Sequence, residues 1–60
     1  MYFEKTLTDC RDSRELYNEL KRYGLNVTDM GSEVFVYGDI DESDYEKILR
    51  ICISYGSIEN

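Results

Sequence analysis

Two periodicities divide the chain. Residues 2–7, Tyr-Phe-Glu-Lys-Thr-Leu, are aromatic and β-branched enough for a first strand, with Phe3 and Leu7 on one face. The period then becomes helical: Leu16, Leu20 and Tyr23 recur at i, i+4 and i+7, behind Asp12 and Glu15 at capping-box spacing. Gly24 ends this helix, because glycine is the preferred left-handed residue after a last turn, and Leu25 beyond it can fold back. Leu25 and Val27 alternate with Asn26 and Thr28 as in a half-buried strand. Asp29-Met30-Gly31-Ser32 reads as a hairpin turn, and Glu33 to Gly38 is the return strand. Asp41 is placed to cap a second helix, with Ile40 and Tyr45 as a hydrophobic staple and Tyr45, Ile48, Leu49 and Cys52 as the buried stripe. Gly56 is expected to close that helix as Gly24 closes the first, which leaves Ser57 to Asn60 for at most a short final strand.

The halves echo each other at an offset of 32 residues: Phe3 with Phe35, Asp12 with Asp44, Leu16 with Ile48, Tyr23 with Tyr55, Gly24 with Gly56. Two strand–helix units joined by a hairpin are what a ferredoxin-like split βαβ arrangement requires. The expectation is therefore one α+β domain over residues 1–60, of order βαββα(β), with an antiparallel sheet and two helices on one face. On the return strand Val34 and Val36 point to one side and Phe35 and Tyr37 to the other. Helices can cover only one side. The two valines are expected on the open face, as a contact surface or dimer interface, against the simpler reading of ordinary exposed side chains.

Charge changes this picture more than composition does. Sixty residues bury only about 60% of the surface of the unfolded chain, so the core is thin. The net charge of −6 is unevenly placed. Residues 1–28 hold five acids and five bases, whereas residues 29–60 hold eight acids against Lys47 and Arg50 alone. From Asp29 to Glu46 there is no base.

Candidate chemistry is sparse. There is no histidine, tryptophan or proline, and the four glycines are dispersed rather than gathered in a phosphate loop or nucleophile elbow. Cys10 and Cys52 have neither metal-ligand spacing nor the density of a disulfide scaffold, and both are expected to be reduced, inert thiols. Residues 39–44 start like an EF-hand loop, but Asp44 stands where glycine is needed and Arg50 where the bidentate glutamate should be. Capping and helix-dipole stabilisation account for these acids more simply. No enzyme activity, cofactor or metal is expected. Seven bases against thirteen acids make direct nucleic-acid binding unfavourable. Met1 to Lys5 lack a signal-peptide pattern and no apolar run is long enough to span a bilayer, so a cytoplasmic protein without membrane contact is expected.

The acidic run suggests the inverse of nucleic-acid binding. Asp39, Asp41, Glu42, Asp44 and Glu46, extended by Asp29 and Glu33, are expected to crowd a single flank of the fold as the contact acids for a basic protein or nucleoprotein complex, such as a surface that otherwise holds DNA or RNA. The bland alternative is a solvated face. A short chain with concentrated acid and no catalytic set resembles, as a class and without a diagnostic motif, the small acidic inhibitors that bacteriophages and mobile elements use against host defence, anti-CRISPR and anti-restriction proteins among them. That resemblance implies a stoichiometric inhibitor that mimics DNA, with no cofactor and no turnover. The competing expectations are a homodimeric or regulatory ferredoxin-like module held through Val34 and Val36, and, on fold analogy alone, a small-ligand sensor.

Overall fold

The computed structural model describes residues 1–59; Asn60, the last position of the expected final strand, lies outside them. The elements follow in the order β1 (Tyr2–Thr8), α1 (Ser13–Leu20), β2 (Asn26–Asp29), β3 (Glu33–Asp39), α2 (Tyr45–Tyr55) and β4 (Ser57–Ile58). Single 3₁₀ turns, Lys21–Tyr23 and Glu42–Asp44, lie between α1 and β2 and between β3 and α2. The sheet order is β2-β3-β1-β4 and every neighbouring pair is antiparallel. This is the ferredoxin-like α+β arrangement. No helix among the described residues is long and apolar enough to cross a membrane.

Local chemistry starts each helix where the pattern placed it. The Asp12 side chain accepts from the Glu15 N–H at 3.1 Å, satisfying one donor of the first turn of α1. Gly24 takes a left-handed φ of 83°, which a side chain would resist, and so turns the chain out of the last turn into Leu25. At the start of the second helical segment Asp41 accepts from both Ser43 N–H and the Ser43 hydroxyl at 3.1 Å. Asp44, the formal partner of Asp12 in the repeat, makes no side-chain cap.

Register decides which face is covered. Along β1 and β3, Phe3 lies opposite Gly38, Lys5 opposite Val36, and Leu7 opposite Val34; Val27 of β2 lies opposite Val36. Paired residues share a face, so these side chains all point one way. They meet Leu16, Leu20, Ile48, Cys52 and Tyr55 from the helices in one buried cluster, with Leu25 and Ile40 closing its end. Tyr45 sets its ring edge-on to Phe3 at 5.8 Å. Lys5, the one charged residue on this face of β1, is only half-buried, as a long stem reaching past the helices allows.

Two expectations are corrected. Val34 and Val36 are not on an open face: they are 3% and 0% exposed, beneath the helices, and a dimer has no access to them. The reason is the hairpin, which pairs Val36 with Val27, and Val27 belongs to the apolar side of β2. Phe35 and Tyr37 are outward instead, so the echo of Phe3 by Phe35 breaks by one residue. Gly56 ends α2 but not in a left-handed conformation; its backbone is extended. A Cβ there would come within 2.9 Å of the Thr8 carbonyl oxygen and 3.1 Å of Cys10 Cα, so glycine is required by close approach of the β1–α1 connection.

Replacing Val34 with Asp places a charge in the cluster opposite Leu7 and Asp29, with no base across either ladder, and is expected to abolish cooperative thermal unfolding, whereas Phe35→Thr leaves a melting transition. Circular dichroism melts of the two variants check this. Asp12→Ala should cost about 1 kcal/mol, read as a lowered denaturation midpoint.

Candidate functional site

The seven acids expected to form one patch are divided by β3. Asp29 and Glu33 flank the β2–β3 turn, while Asp39, Asp41, Glu42, Asp44 and Glu46 gather at the opposite end, around the start of α2. Six residue steps along β3 separate Glu33 from Asp39, about 20 Å at the usual strand rise. The expectation of a single acidic flank is therefore corrected: the run is continuous in sequence but is drawn out along a strand.

Several of these carboxylates already have work within the chain. Asp29 accepts the Gly31 N–H and the Ser13 hydroxyl, each at 2.8 Å, which holds its carboxyl below the ordinary value and ties the hairpin to the start of α1. Asp41 is held low by the Ser43 N–H, then by the Ser43 hydroxyl, with a smaller contribution from the terminal ammonium of Met1. That ammonium donates to the Ile40 carbonyl at 2.8 Å, so a cation stands within the second acidic group. Among the described residues no three His, Cys, Asp or Glu side chains converge as a metal site requires.

The uncovered face of the sheet presents a different set. Alternation places Tyr2, Glu4, Thr6 and Thr8 of β1, Asn26 and Thr28 of β2, Glu33, Phe35, Tyr37 and Asp39 of β3, and Ser57 of β4 on it. Every charged strand residue on this face is an acid. Phe35 and Tyr37 are half-buried by their neighbours, and Tyr2 is 58% exposed. The Tyr37 and Thr28 hydroxyls are hydrogen-bonded at 3.0 Å, which fixes the Tyr37 ring against β2. Glu4, Lys5, Thr6 and Phe35 line a shallow recess of about 330 Å³. Glu59, which continues from β4, meets Glu33 across the end of β1, and its carboxyl is raised above the ordinary value, first by a hydrogen bond to Glu33 and then by its charge.

Of the expected contact acids, only Glu33 and Asp39 fall on the uncovered face with the aromatics, at opposite ends of β3; Asp29 lies on the other side of the sheet, and Asp41, Glu42, Asp44 and Glu46 follow Asp39 beyond the strand. Sequence reasoning missed Tyr2, Glu4, Phe35, Tyr37 and Glu59. The signal was available, since pairing the return strand with Val27 in any register that keeps the valines together sends Phe35 and Tyr37 outward.

Two further groups of side chains serve the fold. The Tyr55 hydroxyl donates to Glu15 at 2.7 Å and also contacts Glu19, so one buried tyrosine on α2 bridges two carboxylates one turn apart on α1. The Arg11 guanidinium covers the same ring at 4.3 Å. Those carboxylates, Glu19 foremost, push the Tyr55 hydroxyl well above its ordinary value of 10. Cys52 is wholly buried and its thiol is pushed up to about 11 by that burial, as for a small core hydrophobe; Cys10 is half-buried, and both are free thiols.

No known protein family, curated protein or solved structure matches this chain.

Two titrations follow from these contacts. Because the folded Tyr55 is raised, its contribution to stability is present below its ordinary value of 10 and is lost as pH rises beyond it. The absorbance difference between the wild type and Tyr55→Phe should therefore show tyrosinate appearing only at pH above 10. Because Glu59 is also raised, its contribution is present below its ordinary value of 4.5 and lost as pH rises through the folded value. Glu59→Gln should melt higher than the wild type at neutral pH, and the advantage should disappear on acidification.

Proposed function

We propose that this chain is a non-catalytic acidic binding protein that docks on a basic protein surface through the uncovered face of its sheet. One observation carries this reading: the face combines three aromatic side chains, Tyr2, Phe35 and Tyr37, with Glu4, Glu33 and Asp39, while the lysine of β1 lies on the other side. Aromatic anchors supply contact area at small entropic cost, and a ring of one charge sign selects an oppositely charged partner and speeds encounter. The same ring repels phosphates, so stacking of nucleic-acid bases on Phe35 and Tyr37 is disfavoured.

A partner whose Lys and Arg side chains otherwise hold DNA or RNA fits this chemistry. Occupying such a surface makes the chain an inhibitor in the cytoplasm, which is what its resemblance to anti-CRISPR and anti-restriction proteins implies. The face substitutes for nucleic acid in charge and stacking surface rather than through a row of acids spaced like phosphates. Two copies meeting face to face would bring their acids together, so the hetero-partner is favoured over a homodimer through this face.

The test is capture of basic proteins from a host lysate on the immobilised chain at low and high salt. Capture should be lost at high salt, displaced by competing DNA or RNA, and weakened at least tenfold by joint Glu4→Lys, Glu33→Lys and Asp39→Lys substitution. Joint reversal of Glu42, Asp44 and Glu46 should leave it intact. The opposite ranking of the two triple variants would overturn the assignment of the face.

A further inference from the structure

β2 is the outer strand of the sheet, and among the described residues no strand lies beyond it. It is an internal element, between α1 and β3 in the chain. The Met30 N–H bonds to the Glu33 carbonyl at 2.8 Å, and bonded pairs alternate along an antiparallel ladder. Thr28 and Asn26 therefore turn their main-chain groups to β3, while Val27 and Asp29 turn theirs to the open side.

One stripe of α1 runs beside this edge. The Ser13 hydroxyl bonds to Asp29, and Ser13, Tyr17 and Lys21 recur at i, i+4 and i+8, so Tyr17 and Lys21 continue along the same side of the helix toward the start of β2. Tyr17 is 40% exposed, and Met30, one position past β2, is 61% exposed. Charge is graded along the edge. Lys21 and Arg22 lie in the turn that precedes β2. Asp12, Asp29 and Glu33, with Arg14 alone against them, mark the other end, so three acids less one base give −2 there against +2 at the start.

We propose that the open edge of β2 is an interface with a second copy of this chain, the two strands running antiparallel about a two-fold axis centred on Val27. Unpaired edge groups are a template for a further strand, and a two-fold pairing closes on itself. It sets the residues that precede one β2 beside those that follow the other, so Lys21 and Arg22 of each copy meet the acidic end of its neighbour. A segment carrying charge of one sign satisfies only one end of the edge and is repelled at the other. Register follows from the same side chains. Centring on Asp29 sets that acid against itself, and centring on Thr28 puts both Asp29 carboxylates next to the axis, across from Val27. Centring on Asn26 runs the Asp29 main chain onto the 3₁₀ turn instead of a strand. Centring on Val27 sets valine against valine and Asn26 against Thr28, and keeps Asp29 at the rim. Tyr17, midway between Ser13 and Lys21, then meets Tyr17 of the second copy on the helix side. The docking face stays uncovered and continues across the seam into that of the second copy.

Sedimentation equilibrium and amide hydrogen exchange by NMR, both between about 10 μM and about 1 mM chain, test this. A dimer should form across that range. Exchange at Val27 and Asp29 should slow about tenfold as it forms, while Asn26 and Thr28, already paired with β3, stay unchanged. Joint Lys21→Glu and Arg22→Glu should weaken dimerisation at least tenfold; joint Lys47→Glu and Arg50→Glu on α2, which changes net charge equally, should weaken it far less. A chain still monomeric at about 1 mM, a dimer whose Val27 and Asp29 amides gain no protection, or equal weakening by the two double reversals would each overturn the interface. Each of those results leaves the docking face standing, because its acids lie on other strands.

Discussion

The β1–β3 ladder governs the rest of the molecule. With Leu7 opposite Val34 and Phe3 opposite Gly38, one side of the two central strands becomes apolar throughout and the other carries Tyr, Thr, Phe and Glu. A shift of one residue in either strand would exchange the faces. Because the apolar side chains supply the buried cluster on which both helices rest, such a one-residue shift would leave so short a chain without a core. The helices are then held to each other by Tyr55, whose ring lies under Arg11 and whose hydroxyl bridges Glu15 and Glu19. The proposed binding surface is what this register leaves uncovered, so fold and proposed function rest on the same pairing.

Much of the fold was legible because its signals are local. Asp12 at three residues from Glu15, the Leu16–Leu20 stripe, Gly24 after the last turn and the Asp29–Ser32 turn each depend on residues close in sequence, and each appears where expected. The failures involve long-range pairing. The side taken by Val34 and Val36 is not legible locally, because a strand apolar on both faces carries no internal label, and only its pairing with Val27 supplies one. Gly56 looked like Gly24 in sequence, yet it is required by the approach of the Thr8–Cys10 backbone, more than forty residues away along the chain. The 32-residue echo holds for Leu16 and Ile48 and fails for Phe35, since helices tolerate an approximate repeat and strands invert on a single step.

The acidic run shows the same division between sequence and space. Composition located the excess charge correctly, but a run that crosses a strand is stretched to opposite ends, and two of its members, Asp29 and Asp41, bond their own turns. What unites acids on one surface is strand parity, which joins Glu33 and Asp39 from the run to Glu4 from the electrically balanced half. A thin sheet with helices on one side only thus leaves the proposed docking face outside the buried cluster, where substitutions of Glu4, Glu33 and Asp39 remove no core contact.

The most direct test of this account is hydroxyl-radical footprinting of the free chain with residue-level readout by mass spectrometry. Tyr2, Phe35 and Tyr37 should be modified well ahead of Phe3 and Tyr55, which the helices cover. Protection of Phe35 and Tyr37 equal to that of Phe3 would contradict the assignment of faces on which the fold and the docking surface both depend.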